Sequence, residues 1–301
     1  MKITELANET GAEITQVDLR KLTDADSNKI YETFLRFHVI AVRDQELEAE
    51  DWLAFGSRFG KVRQHINKSR SHPDLPQLML LDNQATKDAP AARYIESGIG
   101  WHSDASYDQF PAKATALYPV FLPSRGGDTL FNNMHTAYDS LPARLKAAVD
   151  ERICLNNYGG RAKRNLALLD KSEHNRLNAA HHMVITHPET GLKALYLNLR
   201  TYIGIVGMSD TDADALVKEL APYVDKGRVD YRHLWRKGDA VIWDNRSVVH
   251  SATGDYPLHE RRLLWRLTID ARASAEQVPE PALDKALLAP RPTAAPQPAF
   301  I

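Results

Sequence analysis

His102-Ser103-Asp104, with His250 far downstream, brings together residue types that can hold a redox-active metal. Two imidazoles and one carboxylate can occupy one face of an iron(II) octahedron and leave the opposite face open. An open face permits chemistry on oxygen and a substrate, whereas a closed ligand shell only braces a fold. On extended chain, side chains i and i+2 project to the same side, so one strand end can supply both His102 and Asp104. With 12 histidines in the chain such a triplet arises easily by chance, and its neighbours must decide.

Those neighbours are Gly100-Trp101 before the triplet and Ala105-Ser106-Tyr107 after it, then Gly126-Gly127-Asp128-Thr129-Leu130-Phe131. Later come Val241-Ile242-Trp243-Asp244-Asn245-Arg246, running into His250, and Arg261-Arg262-Leu263-Leu264-Trp265-Arg266. In this order the motifs strongly resemble the taurine/2,4-dichlorophenoxyacetate (TauD/TfdA) family of iron(II)- and 2-oxoglutarate-dependent dioxygenases. The resemblance begins at Gly11-Ala12-Glu13-Ile14, passes through Phe55-Gly56-Ser57-Arg58-Phe59-Gly60 and fades after about Ile269.

The resemblance implies that His102, Asp104 and His250 bind iron(II). Two further positions then go to the 1-carboxylate and keto oxygen of 2-oxoglutarate, and one to O2. The family's halogenating relatives lack the carboxylate ligand, so Asp104 implies hydroxylation. The second carboxylate of 2-oxoglutarate needs a fixed cation, and arginine's planar fork stays charged when desolvated. The resemblance implies Arg266 as that clamp, with the Thr129 hydroxyl on the same carboxylate and Arg262, four residues earlier on one strand face, as a second arginine. Arg266 lies between Trp265 and Leu267, where an unpaired arginine would be costly. Metal-bound imidazoles usually have supporting partners, and Trp243 and Asn245 are expected to support the turn before His250.

The primary substrate is expected to be a small anionic molecule, a sulfonate, alkyl sulfate or aryloxyalkanoate, hydroxylated at a C–H bond with release of succinate and CO2. Taurine-type enzymes place a histidine after the Phe-Gly motif near the substrate anion, and His65 is the nearest match. Tyr196, Asn198 and Arg200 alternate after Leu195 and would share one strand face, from which Arg200 could hold the anion. Two other readings stay open. The triad could serve a metal-dependent hydrolase or isomerase, which has no need of Arg266 with Thr129, or a non-catalytic protein that binds 2-oxoglutarate or another anion.

The chain has 301 residues, 43% hydrophobic and 26% charged, the balance of an ordinary globular protein. A net charge of −1 gives no electrostatic case for nucleic acid. Arg161-Ala162-Lys163-Arg164 is the densest basic cluster and reads as a solvated loop. Cys154 is the only cysteine, which excludes an intrachain disulfide and suggests a reducing compartment. No signal-peptide core or membrane-length apolar stretch is visible, so a cytoplasmic protein is expected. The resemblance adds a homo-oligomer, dimer or tetramer.

To position the triad, the sequence offers a helix capped by Thr23 with Ile30, Phe34 and Phe37 inward, a strand His38–Val42, and a helix about Ala49–Phe59 with Trp52, Phe55 and Phe59 on its core face. Strands are expected at Ala114–Phe121, Thr129–Met134, Ala194–Asn198, Ala240–Asp244 and Leu263–Ile269, with helices at about Ala137–Glu151 and Asp210–Tyr223. The resemblance selects an α+β fold, a double-stranded β-helix (jelly-roll) core with flanking helices. One domain is expected over 1–276, with a lid-like insertion at about 156–182 and a proline/alanine-rich extended tail over 277–301.

Overall fold

Thr23 starts the first long helix as its residue type requires. Its hydroxyl accepts from the Asp26 amide and the Asp26 carboxylate accepts from the Thr23 amide, so both ends of the capping box close. The helix, α1, runs Asp24–Phe37 and ends at His38, whose left-handed backbone stops it and turns the chain into a strand, β3, over Val39–Val42. The second helix, α2, spans Ala49–Ser57. Phe59 follows it and packs edge-on against Phe34 and Phe55, with ring centroids 5.2 and 5.3 Å apart. The aromatic stripe is therefore core, as its spacing predicts.

This computed structural model describes residues 1–6, 9–66, 68–84, 98–161, 178–225, 227, 229–273 and 276–278. Most of the expected lid, 162–177, and the tail beyond 278 lie outside the described residues. So do Ala162, Lys163 and Arg164 of the basic cluster.

Among the described residues the largest sheet has eight strands. Beside β3 it contains β1 (Lys2–Glu5), β2 (Ala12–Thr15), β4 (Lys61–Arg63), β5 (Leu78–Asp82), β6 (Ala114–Phe121), β14 (Ala240–Asp244) and β16 (Leu263–Asp270), in the order β1-β2-β3-β14-β6-β16, where β4 and β5 share the far edge of β16. Facing strands are β7 (Thr129–Asn133), β13 (Tyr231–His233) and β15 (Val248–Ala252), in the order β13-β7-β15. A third sheet joins β8 (Ile153–Asn157), β9 (Asn178–His182) and β12 (Tyr202–Ile205), and β10 (Val184–Thr186) pairs with β11 (Lys193–Leu195). The mixed, sheet-rich architecture with few helices is that of the expected jelly roll.

Three expectations need correction. The helix expected over Ala137–Glu151 is two, α3 (Met134–Asp139) and α4 (Ala143–Val149), because Pro142 between them has no amide hydrogen and disfavours helix at Leu141. The strand expected over Ala194–Asn198 ends at Leu195, so Tyr196, Asn198 and Arg200 do not share a strand face. The flanks of the 156–182 segment, read as poor in strand signal, are β8 and β9, paired antiparallel with Asn157 opposite Asn178.

The central strands are buried on both faces, and their alternation sorts two cores. Ala240 and Ile242 of β14 join α1 and α2 in one cluster, while Val241 and Trp243 turn the other way toward Phe131, Leu117 and Leu264. The same parity puts Thr115 and Leu117 of β6, and Leu264 and Arg266 of β16, on the interior side. The interior faces thus meet where β7 and β15 cover the large sheet.

His38 is buried against His135, ring centroids 4.8 Å apart. Burial, with His135 adding to it, pulls the His38 imidazole down to about 3. The unfolded chain takes up that proton near pH 6.5 and the folded chain does not. The group's contribution is thus complete above about pH 6.5 and is lost as pH falls toward 3. Stability should drop by about 2 kcal/mol at pH 5 through this residue. Denaturant titrations at pH 7 and pH 5 check it: His38→Asn, which tolerates the left-handed backbone, should lose clearly less stability than the parent between the two pH values.

Candidate metal centre

β15 carries His250, opposite Phe131 of β7. The His102 segment pairs with it through an isolated bridge, the His102 amide donating to the His250 carbonyl at 3.0 Å and the reverse bond at 2.8 Å. His102 is therefore on a short bridge and Asp104 at the start of a turn, in place of the regular strand end the H-x-D spacing suggests. Pairing His102 directly with His250 brings the imidazoles together, ring centroids 4.2 Å apart.

Asp104 completes the cluster. His102 Nε2 lies 3.8 Å from Asp104 Oδ1 and His250 Nε2 lies 3.6 Å from Oδ2. The three donor atoms fall within 4.8 Å of one another. Nitrogen and oxygen donors bind first-row metals at about 2.0–2.2 Å, so neighbouring donors stand about 3 Å apart and this set closes on an ion with small shifts. Protonation states agree. His102 Nδ1 donates to the Gly100 carbonyl at 2.7 Å, the tautomer that leaves a lone pair on Nε2. Burial holds His102 well below the usual imidazole range and pulls His250 down to about 4, despite Asp104. Burial works to raise the Asp104 carboxyl, but the Arg266 guanidinium, helped by the Thr115 hydroxyl, outweighs it and keeps it ionised. Neutral imidazoles and a carboxylate are the forms that bind metal. The residues present fit iron(II).

Around the ligands, Thr115 Oγ1 donates to Asp104 Oδ2 at 2.7 Å, and Asn245 Nδ2 donates to Thr115 at 3.0 Å. Asn245 Oδ1 accepts from Trp243 Nε1 at 3.0 Å and from the Asp104 amide at 3.3 Å. Trp243 packs on His250 with ring centroids 4.6 Å apart. Trp243 thus packs against His250, while the Asn245 side chain bonds the Asp104 amide. Thr115 was missed. It is a hydroxyl of interior parity on an apolar strand, a signal that has meaning only once β6 is known to run past Asp104.

One pocket is lined by His102, Asp104, His250, Thr129, Arg262 and Arg266, so all the residues expected at the metal and the co-substrate converge. The two arginines occupy different environments. Arg266 Nη2 lies 2.9 Å from Asp104 Oδ1, beside the metal ligands. Arg262 donates from Nη2 to the Gly127 carbonyl at 2.8 Å and lies over the Tyr256 ring at 5.7 Å. Gly127 has a φ of +73°, and a Cβ there would meet Arg262 Nε at 2.8 Å, so the motif's second glycine makes room for the guanidinium. Thr129 Oγ1 accepts from Trp235 Nε1 at 3.1 Å, which leaves the hydroxyl's own proton to donate into the pocket. Tyr256, Trp235 and the pocket-lining Arg70 had no motif to announce them.

The four residues expected at the substrate separate. His65 is close enough to Arg266 and Asp104 to feel both, and burial, then Arg266, pulls it down to about 3. Arg200 passes Gly100, and its charge bears on both metal-binding imidazoles. Tyr196 and Asn198 instead line a smaller cavity with Ser103 and Ser106, on the far side of the Asp104 turn. They are buried, and no strand extends there to carry them into the pocket.

Removing the hydroxyl proton from the carboxylate should loosen the metal. Thr115→Val is expected to weaken manganese(II) or iron(II) binding about 10- to 100-fold, measured by calorimetric titration, while the circular dichroism spectrum stays unchanged. Unaltered affinity would remove Thr115 from the ligand support.

Comparison with known proteins agrees with this geometry. The family described as taurine catabolism dioxygenase TauD, TfdA family matches residues 2–268. An (S)-phenoxypropionate/alpha-ketoglutarate dioxygenase of Sphingobium herbicidovorans is 29% identical over 275 residues, covering 88% of this chain and 93% of the relative. An alkylsulfatase of Acinetobacter baylyi is 30% identical over 282 residues, 89% of this chain and 84% of the relative. Among solved structures, AAD-2 in complex with Mn(II) and N-oxalylglycine superposes with a TM-score of 0.78 at 25% identity, covering 90% of this chain and 99% of that one. A taurine dioxygenase from Burkholderia xenovorans gives 0.76 at 26%, covering 95% and 96%. A match over nearly the whole length, joined to a His-Asp-His cluster at the floor of an arginine-lined pocket, establishes that the chain belongs to the TauD/TfdA family of dioxygenases.

Proposed function

We propose that this chain is an iron(II)/2-oxoglutarate-dependent dioxygenase that hydroxylates a C–H bond of a small organic anion of the aryloxyalkanoate, alkyl sulfate or sulfonate type. The observation that carries the reading is one pocket holding the His102, Asp104 and His250 donors together with two half-buried guanidinium groups in different places. Iron(II), when bound, would supply the activation of O2: one oxygen atom enters the substrate, and the other enters the succinate formed as 2-oxoglutarate loses CO2.

The chain's own residues bind and orient the two anions. Arg262 takes the distal carboxylate of 2-oxoglutarate, with the Thr129 hydroxyl donating to the same group. This exchanges the two arginines relative to the motif reading. Two observations support the exchange. Arg266 touches a metal ligand, and its charge bears on Asp104 and His250. Arg262 is beside Gly127 and Tyr256, and its strongest charge neighbours are Tyr256 and Asp128. A co-substrate that met the metal through the oxygens on its first two carbons would need its cation at the far end, not on the ligand carboxylate. Arg266, with His65 and Arg200, then serves the anionic group of the primary substrate close to the metal. The T-shaped pair Tyr107–Tyr158, centroids 4.8 Å apart, is close enough to feel Arg266 and suits an apolar substrate body.

Residues 1–276 act as one catalytic domain, in a homo-oligomer of two or four chains, a state that sedimentation can measure. The lone, buried Cys154 suits a reducing, cytoplasmic setting. Among the described residues no helix is long and apolar enough to cross a membrane.

Succinate release should require iron(II), 2-oxoglutarate and a member of a panel of aryloxyalkanoates, alkyl sulfates and alkylsulfonates, and no stimulation by any of them would sink the substrate class. Arg262→Ala should raise the KM for 2-oxoglutarate roughly 30- to 5000-fold, the cost of unpairing a desolvated charge at about 2–5 kcal/mol. Arg266→Ala should raise the KM of the primary substrate while slow, uncoupled consumption of 2-oxoglutarate continues. The opposite pattern, 2-oxoglutarate affinity lost in Arg266→Ala alone, returns the clamp to Arg266.

A further inference from the structure

The turn that carries Asp104 is held from two sides. On the side of the large sheet, Ser103 Oγ donates to the Asn245 carbonyl at 2.6 Å and the Asp104 amide reaches Asn245 Oδ1. On the opposite side the buried Asn198 amide spans the turn, and His181 Nε2 lies 2.9 Å from the Ser106 carbonyl. Asn198 Nδ2 donates to the Ser103 carbonyl at 2.7 Å and to Ser106 Oγ at 2.6 Å, so its two hydrogens reach the residues before and after Asp104-Ala105. The remaining hydroxyls then have fixed directions. Thr201 Oγ1 donates to Asn156 Oδ1 at 2.8 Å, so Ser106 must donate to Thr201 across their 2.9 Å contact and accept from Asn198. The chain Asn198–Ser106–Thr201–Asn156 runs one way and anchors the turn to β8. Asn198 Oδ1 also accepts from the Arg200 amide at 3.0 Å, which fixes the segment carrying that guanidinium.

Inside this staple lies Ala105, buried, with a φ of +58°. That conformation is disfavoured by a Cβ, and a non-glycine residue keeps it only where surrounding bonds over-determine it. A relaxed Ala105 would rotate the Asp104 carboxylate away from His102 and His250.

We propose that Asn198 is a positioning residue for the metal site, holding Ala105 left-handed so that Asp104 meets the two imidazoles. The inference rests on the metal-centre reading above. Manganese(II) alone is the probe, titrated into metal-free full-length protein by calorimetry, with melting curves run in parallel. Asn198→Ala should lower manganese affinity about 10- to 100-fold, as loss of the outer support that orients a ligand does. Adding Ala105→Gly should recover about three- to tenfold of it, because glycine accepts the left-handed backbone freely. In the parent the same glycine should change affinity by less than about threefold. A merely structural amide predicts a lower melting temperature with parental affinity, and that result overturns the proposal, as does a loss that Ala105→Gly does not recover. Should Asn198→Ala not fold, Ser106→Ala removes one of the two staple bonds with the amide in place. There, a loss of about threefold or more supports the inference and parental affinity overturns it. Failure of the metal-centre reading looks different: Asp104→Ala would then bind manganese as tightly as the parent.

Discussion

A carboxylate is ionised in the interior of this protein, and much of the site exists to keep it so. Asp104 is buried, and a buried charge is tolerable only with close compensation. Arg266 supplies the countercharge, Thr115 a hydroxyl proton, and the two imidazoles face it with neutral nitrogens. Each partner comes from a different place in the chain: β16, β6, the bridge segment and β15. Proper assembly of those elements and an ionised Asp104 are therefore two descriptions of one state. The same compensation explains why Arg266 can sit in an otherwise apolar strand without being stranded there.

The second constraint is parity. Central strands of the large sheet are buried on both faces, so alternate residues serve different cores. One set packs on the aromatic cluster of α1 and α2, which supplies burial and stiffness. The other set faces the interior, and two of its polar members, Thr115 and Arg266, touch the Asp104 carboxylate. A one-residue slip of β16 against β6 would bury Trp265 in the site and send Arg266 into the helix-facing core. Register here is catalytic geometry.

Charge separation along the pocket follows from β16 and from Arg262 just before it, outside the strand that the expectation placed it on. Arg262 and Arg266 are four residues apart, but a register shift at Leu263 and the glycine beside Arg262 give them different surroundings. One guanidinium is held against backbone and an aromatic ring, the other against the ligand carboxylate. Two anions can thus be received at one metal without competing for one cation, which suits a reaction that consumes a co-substrate acid and an acidic substrate together.

The His-Asp-His cluster, the presence of two pocket arginines and most of the strands and helices were legible in the sequence because each depends on local chemistry or short-range periodicity. His102, Asp104 and His250 are singled out by residue type and motif company. Thr23 caps its helix through bonds three residues away, and Trp52, Phe55 and Phe59 declare a face by spacing alone. Pro142, by contrast, is a local signal, and it divides Ala137–Glu151 into two helices. Other facts were not available to any local rule. Which arginine stands at the metal depends on where β16 crosses Asp104, and the role of Thr115 depends on β6 passing beneath the same carboxylate. Asn198 looked like a pocket residue by alternation, yet the strand stops at Leu195 and tertiary packing turns the amide under the Asp104 turn. Residue identity determined what this chain can bind. Long-range pairing, which brings Asp104 and His250, 146 positions apart, within 4 Å of each other, decided which groups face the metal and which hold it in place.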